Sequence, residues 1–205
     1  SSDVCSSDLF IQSASNTRIY CLKNISSTSW TGANFYEVGT STTDLTSVSD
    51  SAGNVYIAYK KDRTTFYDVI VIKYTNGSGY AAQVGETVDT SITPLDKISL
   101  AVNNAGEIFI GYTYTPTSIK IRKYAPASGL WVDITADLLN STSYTDFLDI
   151  DVDNSGKPVV AFKDALRAGK AVVKRYNGEW FTVGSGADSA VCSSSSGQTD
   201  YIDLK

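Results

Sequence analysis

Short apolar runs, separated by clusters of Gly, Asn, Asp and Ser, follow one another along the chain. Apolar and polar residues alternate within these runs, as is typical of β-strands, and no segment shows the periodicity of an amphipathic helix. One stretch predicts strands over 97–102, 108–112, 118–124 and 130–134, with a turn at 103–106 where Asn and Gly suit a positive φ. The pattern therefore predicts an all-β fold.

The strand pattern repeats with a period of about fifty residues. The equivalent turn glycines and strand tyrosines of successive units are Gly53, Gly106, Gly156, Tyr74, Tyr124 and Tyr176. A lone sheet cannot bury both faces, whereas sheets stacked radially around an axis bury them against their neighbours, at ~1.5–3 kcal/mol for each fully buried Ile, Val or Leu. We therefore predict a partial β-propeller with four-stranded antiparallel blades. A β-solenoid is the alternative, although its repeat is usually shorter.

The repeat also predicts the domain organisation of a propeller fragment over 10–205. It comprises a partial blade and three complete blades followed by the start of another, over 10–39, 44–85, 97–134, 146–184 and 199–205. Residues 1–9 fit no repeat and match the translation of a common sequencing-adaptor oligonucleotide, so we expect an assembly scar outside the fold. We expect both ends to be cut within a blade, with neighbouring domains in a longer chain.

A longer motif is carried most fully by one unit, at Asp153, Gly156, Pro158, Ala161, Asp164, Lys174, Tyr176, Asn177, Gly178, Trp180, Val183 and Gly184. It resembles bacterial propeller repeats of the form Asp-x-x-Gly-x-Pro-Tyr-Val-Ala-Tyr followed by Lys-Tyr-Asn-Gly-x-x-Trp-x-x-Val-Gly, and the resemblance covers about 19–205. The resemblance implies a secreted or surface-attached propeller, often within a multidomain chain. It is fairly specific for the fold and nearly silent on function.

Charge and composition exclude several classes of function. The net charge is −5 with scattered Lys and Arg, which gives neither the basic footprint of a nucleic-acid binder nor a polybasic membrane patch. The longest apolar runs, such as 69–72, are far too short to cross a membrane. The chain has no His, the commonest general base and metal ligand, and we expect no cofactor.

The sequence gives little support for a metal site or a disulfide framework. No CxxC pair is present, and Cys21 and Cys192 lie in different units. Asp149, Asp151 and Asp153 alternate as in a calcium loop, but the bidentate Glu of such loops is missing. The Asp-x-x-Gly element is interpreted more simply as a hairpin turn, since no Trp follows it as in the Asp box of sialidases.

Candidate ligand-binding residues lie on the first strand of each unit, the innermost strand of a propeller blade. Two levels along these strands are predicted to hold Thr46, Ser99, Asp149 and Asp203, and then Val48, Ala101, Asp151 and Lys205. Carboxylates near the axis must be hydrated, paired or bound to a ligand. We therefore predict a polar channel mouth at Asp149, Asp151 and Asp203, with Asp151 paired to Lys205. A solvated channel without a ligand is the alternative.

Aromatic side chains offer a further candidate. Most tyrosines recur at fixed repeat positions, which favours packing between blades. Trp30 lies outside the repeat pattern, in a predicted loop over 26–34, and is the best candidate for stacking against a ligand. An anchoring role within the loop is the alternative.

These observations predict an extracellular or cell-surface binding or scaffold module that recognises a protein or a glycan. The alternative is the propeller portion of a carbohydrate-active enzyme, a glycoside hydrolase or lyase. Such an enzyme needs two carboxylates at a working separation, and Asp149 and Asp203 are the obvious pair. Binding is favoured over catalysis.

Overall fold

The computed structural model describes residues 7–13, 17–26, 29–37, 42–76, 81–92, 97–115, 118–136, 138, 144–184 and 204. Antiparallel β-strands account for most of this part of the chain. Each strand pairs mainly with the next strand in sequence, through short hairpin connections. The predicted all-β class is confirmed.

The first sheet has three antiparallel strands in sequence order, namely β1 (Ser7–Ser13), β2 (Thr17–Ser26) and β3 (Ser29–Glu37). Strand β1 begins inside the segment 1–9, which the sequence placed outside the fold. Its first residues, Ser7 to Leu9, lie opposite Lys23, Leu22 and Cys21 of β2. A strand that began at Phe10 would leave those backbone groups of β2 unpaired. The adaptor origin of residues 1–9 stays a prediction.

The second sheet, which we call blade one, contains β4 to β8. Its strands are β4 (Thr42–Ser49), β5 (Val55–Asp62), β6 (Tyr67–Tyr74), β7 (Ala81–Gln83) and β8 (Asp89–Ile92). Strands β7 and β8 share the outer edge of β6, one beside each half. The sequence predicted no strand at β8. It pairs there because Val88 and Ile92, each 1% exposed, are buried in the core.

Blades two and three are four-stranded sheets in simple sequence order. Blade two contains β9 (Ile98–Val102), β10 (Ile108–Thr115), β11 (Ser118–Ala125) and β12 (Leu130–Asp133). Blade three contains β13 (Tyr144–Val152), β14 (Pro158–Asp164), β15 (Lys170–Tyr176) and β16 (Trp180–Thr182). A 3-10 turn, Ala165–Arg167, connects β14 to β15 and begins where the Asp164 carboxylate accepts a hydrogen bond from the Leu166 N–H.

The three blades stack face to face, and alternate residues of each strand point to opposite faces. The core between blades one and two includes Ala58, Val69, Val71, Leu100, Ile110 and Tyr112. The core between blades two and three includes Phe109, Ile119, Ile121, Ile150, Val160 and Phe162. The innermost strand β9 also contacts both β4 and β13. Blade two thus buries both of its faces against neighbouring blades, and the first strands lie side by side, which confirms the predicted partial β-propeller.

Two buried tryptophans tie each blade to its predecessor. The indole N–H of Trp131 donates to the Val84 carbonyl at 3.2 Å, and that of Trp180 donates to the Ile134 carbonyl at 2.6 Å. Both tryptophans pair with a strand-three tyrosine of their own blade, in tilted ring contacts. The motif Trp therefore has a structural role between blades.

The Asp-x-x-Gly elements are hairpin turns, as predicted. Asp50 accepts hydrogen bonds from the backbone N–H groups of Ala52 and Asn54 at 3.0 and 2.9 Å. Asp153 does the same for Ser155 and Lys157, at 2.9 and 3.0 Å. Since these carboxylates bind their own turns, they hold the hairpins closed between strands one and two of blades one and three.

Candidate functional site

Asp149, the first candidate from the sequence, links neighbouring blades. One carboxylate oxygen accepts from the Ser99 hydroxyl at 2.6 Å and from the Ile150 N–H at 3.0 Å. The other accepts from the Leu204 N–H at 2.7 Å. The structure thus brings together residues of three successive repeat units on one level, and both oxygens of Asp149 already accept hydrogen bonds from the protein.

The other acidic candidates contribute less to this contact. Asp151 is partly buried, and one of its oxygens accepts from the Val152 N–H at 2.7 Å. Asp203 and Lys205 lie outside the described residues, and with them the predicted pair between Asp151 and Lys205. The predicted channel mouth therefore stays a prediction at these positions.

Trp30 lies in a strand, which corrects the predicted loop over 26–34. It is the second residue of β3 and stands opposite Asn24 of β2. Trp30 lies outside the repeat pattern, but the residues after it continue a hairpin ladder in which each residue from Thr31 to Asn34 stands opposite a residue of β2. A stacking role for Trp30 stays a prediction.

A cleft between blades one and two has the features of a small-ligand site that sequence reasoning missed. We call it the Tyr124 cleft; its side-chain lining includes Tyr56, Lys73, Gln83, Tyr124 and Pro126. Its volume is about 320 Å³, within the range of ~300–1,000 Å³ usual for small-molecule sites. Aromatic rings, an amide and an ammonium therefore converge in one concave surface.

Strand register positions the side chains of the Tyr124 cleft. Tyr56 and Lys73 are direct cross-strand partners, which places the Lys73 ammonium 5.2 Å from the centroid of the Tyr56 ring. Tyr56 is only 3% exposed, so it is fixed by the core. Tyr124 is partly exposed and leans on Trp131, with ring centroids 5.2 Å apart. The cleft is thus held open by packed residues.

Gly85 is required for the shape of the same cleft. Its φ is +65°, a left-handed conformation that favours glycine. A Cβ there would come within 2.5 Å of the Gly129 carbonyl oxygen and 2.6 Å of the Tyr124 ring. Only glycine lets the loop after β7 approach blade two this closely.

A second cleft is more polar and lies between the turns at 103–107 and 152–156. Its volume is about 520 Å³. The Asn103 amide crosses between the blades and donates to the Gly156 carbonyl at 3.0 Å. The backbone N–H of Lys157 and the hydroxyl of Ser155 both donate to Asp153 and lower its pKa to about 2, and the charge of Arg175 adds to this. The described lining of this cleft carries no aromatic side chain, so it provides no ring against which a sugar could stack.

A cluster of charged residues surrounds Asp89, the first residue of β8 in blade one. Asp89 accepts from the Tyr112 hydroxyl at 2.8 Å, the Lys120 ammonium at 2.9 Å and the Arg122 guanidinium at 3.1 Å. Burial alone would raise the pKa of Asp89, but the hydrogen bonds from Lys120 and Tyr112 and the charge of Arg122 outweigh it and lower the pKa. Burial raises the pKa of Tyr112, which is 0% exposed. A buried phenol with a raised pKa stays protonated and does not act as a general base. The cluster therefore has a structural role, since its hydrogen bonds join blade one to blade two.

Comparison with known proteins identifies a fold and no family. No protein-family model and no curated protein matches the chain. A protein of unknown function from Dyadobacter fermentans superposes with a TM-score of 0.55 at 13% identity, over 83% of this chain and 59% of its own. An ulvan lyase, a polysaccharide lyase bound to a GlcA(1-4)Rha3S saccharide, gives 0.51 at 12% identity, over 86% and 56%. The likeness is one of fold. This chain spans little more than half the length of either protein.

The described residues form neither a cluster of metal ligands nor a membrane-spanning helix. Among them, no three His, Cys, Asp or Glu side chains are grouped as a metal site requires. The same part of the chain includes no helix with the length and hydropathy needed to cross a membrane.

Proposed function

We propose that this chain is a carbohydrate-binding propeller module that works outside the cell or on its surface, with the Tyr124 cleft as its binding site. The observation that carries the proposal is the convergence of Tyr124, Gln83 and Lys73 in a preformed cleft between two blades. Sugars combine an apolar ring face with directed hydroxyl groups. The Tyr124 ring matches the apolar face of a sugar, and the Gln83 amide and the Lys73 ammonium match its hydroxyl groups.

Preorganisation supports binding at this cleft. Trp131, 5% exposed, supports the Tyr124 ring from behind, and its indole N–H is bonded to the Val84 carbonyl. Because these contacts already fix the ring, a ligand would lose little free energy to ordering the site. Polysaccharide lyases exist on this fold, as the ulvan lyase shows, which makes a glycan ligand compatible with the architecture.

We favour binding over the alternative of a glycoside hydrolase or lyase. The acid proposed for catalysis, Asp149, already accepts from Ser99, Ile150 and Leu204. A catalytic acid must hold or release a proton beside the substrate, and these bonds commit Asp149 to the blade contact instead. A screen for hydrolase and lyase turnover distinguishes the two, since release of sugar by the chain would support the enzyme.

A glycan array followed by isothermal titration calorimetry tests the proposal. Replacing Tyr124 by Ala should weaken binding of any glycan found by about tenfold or more, equivalent to ~1.4 kcal/mol. Tyr176 is the matched control, because it occupies the same repeat position and packs on Trp180 in the same way. Equal losses in Tyr124→Ala and Tyr176→Ala, or no loss in either, would contradict the proposed site.

A further inference from the structure

One cation occupies the same position on strand three of every complete blade. Lys73 stands opposite Tyr56, Lys123 opposite Phe109 and Arg175 opposite Val159. In blade two the Lys123 ammonium forms a salt bridge with Glu107, and in blade three Arg175 forms one with Asp153. The repeat therefore neutralises this cation in two of its three copies.

Blade one keeps the acid that blade three uses, since Asp50 stands at the position of Asp153, but it lacks the acid that blade two uses. Asn54 stands where blade two has Glu107, and its amide donates to the Asp50 carboxylate at 2.8 Å. Asp50 also accepts from the hydroxyl of Tyr56, at 3.2 Å, besides the backbone of its own turn. Within the described ranges, Lys73 forms no salt bridge, and its ammonium contacts the Tyr56 ring. Its charge is thus left for the Tyr124 cleft.

We infer that the ligand of the Tyr124 cleft is an acidic saccharide whose carboxylate or sulfate pairs with Lys73, an inference that rests on the proposed function. Lys73 is the charged residue of a cleft whose described lining carries no acid. A charge-assisted hydrogen bond to a sugar anion is stronger than a neutral one and fixes the register of the sugar over Tyr124. Asn54 stands at the position of Glu107 but carries no charge, so the Lys73 ammonium remains available to a ligand.

Non-specific attraction does not account for such a preference. The net charge of the chain is −5, so an acidic saccharide is repelled by the protein as a whole and gains only at a local cation. Selective binding of acidic over neutral sugars would therefore report on the site itself. It should also weaken as salt is added, since the pair lies in a solvent-accessible cleft.

The test measures the affinity of three oligosaccharides of equal length by calorimetry, one bearing uronate, one bearing sulfate and one neutral. We expect at least one acidic sugar to bind about tenfold more tightly than the neutral one. Lys73→Gln should lower the affinity for the acidic sugar more than that for the neutral one and so abolish the difference, whereas Lys73→Arg should keep it. The uronate and sulfate arms distinguish the two sources of negative charge.

Two further variants use the repeat as its own control. Asn54→Glu places in blade one the acid that pairs with Lys123 in blade two, and should suppress the acidic preference. Lys123→Gln removes a cation that is already paired and should leave the preference unchanged. Because the Asn54 amide supports its turn, the thermal unfolding of Asn54→Glu must first be shown to be cooperative. If Asn54→Glu is unfolded, the effect of Lys73→Gln on the acidic preference decides whether the inference holds.

The outcomes separate this inference from the proposed function. Neutral and acidic sugars that bind equally, with sensitivity to Tyr124→Ala but not to Lys73→Gln, would overturn the acidic preference and leave the cleft as the site. Binding that is insensitive to Tyr124→Ala, or absent for every saccharide, would overturn the proposed function and the inference with it.

Discussion

The hydroxyl of Ser99 donates to the carboxylate of Asp149 at 2.6 Å, across the innermost strands of two neighbouring blades. The second Asp149 oxygen accepts from the Leu204 N–H, so one side chain connects three repeat units. A carboxylate near the propeller axis is satisfied here by the protein itself. Its removal should therefore affect stability before it affects any ligand.

Replacing Asp149 by Ala should lower the free energy of unfolding by ~1–3 kcal/mol, since it leaves partly buried donors without an acceptor. Ser99→Ala should cost about 1 kcal/mol, and the double variant should cost less than the sum. Urea titration measures all three. Asp151→Ala is the control on the same strand, because the described contact of the Asp151 carboxylate is with the adjacent Val152 N–H. Additive losses would contradict a direct Ser99–Asp149 contact.

Trp180→Phe should destabilise the protein by about 2 kcal/mol, because the Ile134 carbonyl loses its indole donor in a buried contact. Trp131→Phe should have a similar effect through the Val84 carbonyl. Thermal unfolding followed by circular dichroism gives the comparison. Phe181→Leu, at a neighbouring side chain that is 53% exposed, should change the stability little. A loss at Phe181 as large as at Trp180 would argue against the indole contact.

Asp89 should make the protein sensitive to acid. Its folded-state pKa lies below the unfolded value of about 3.9, so its stabilising effect is present above that value and is lost as the pH falls through the folded pKa. Melting temperatures should be measured from pH 7 to pH 2. Asp89→Asn should have a lower melting temperature than the original protein at neutral pH, and its melting temperature should fall less steeply below pH 4. Parallel curves for the two proteins would contradict a depressed pKa for Asp89.

Gly85→Ala should weaken glycan binding about tenfold and destabilise the fold by about 1 kcal/mol or more, because the new methyl group meets Tyr124 and strains a positive φ. Gly178→Ala is the control, since Gly178 has a φ of +90° but a methyl group added there would meet nothing within 4 Å. It should show the backbone cost without the binding loss. Equal binding in both variants would mean that Gly85 does not shape the cleft.

Local patterns predicted the strands well because each strand carries its own alternation. The predicted range 108–112 lies within β10, and Pro158 begins β14 as expected. The predicted loop around Trp30 is wrong, and strand β8 was not expected. Both errors concern segments whose state depends on a partner strand, since backbone hydrogen bonding to a neighbour overrides weak local preference.

The sequence by itself determined the repeat period, the strand order within a blade and the turns, because these depend on residues close together in the chain. The tertiary structure alone decided that Asp149 is shared by three units, that Lys73 forms no salt bridge within the described ranges, and that Tyr124 and Gln83 line one cleft. Asp149 lies 50 positions from Ser99 and 55 from Leu204, and Tyr124 lies 41 positions from Gln83. The existence of these contacts depends on how far one sheet slides and turns against the next, and side-chain packing between blades sets that geometry.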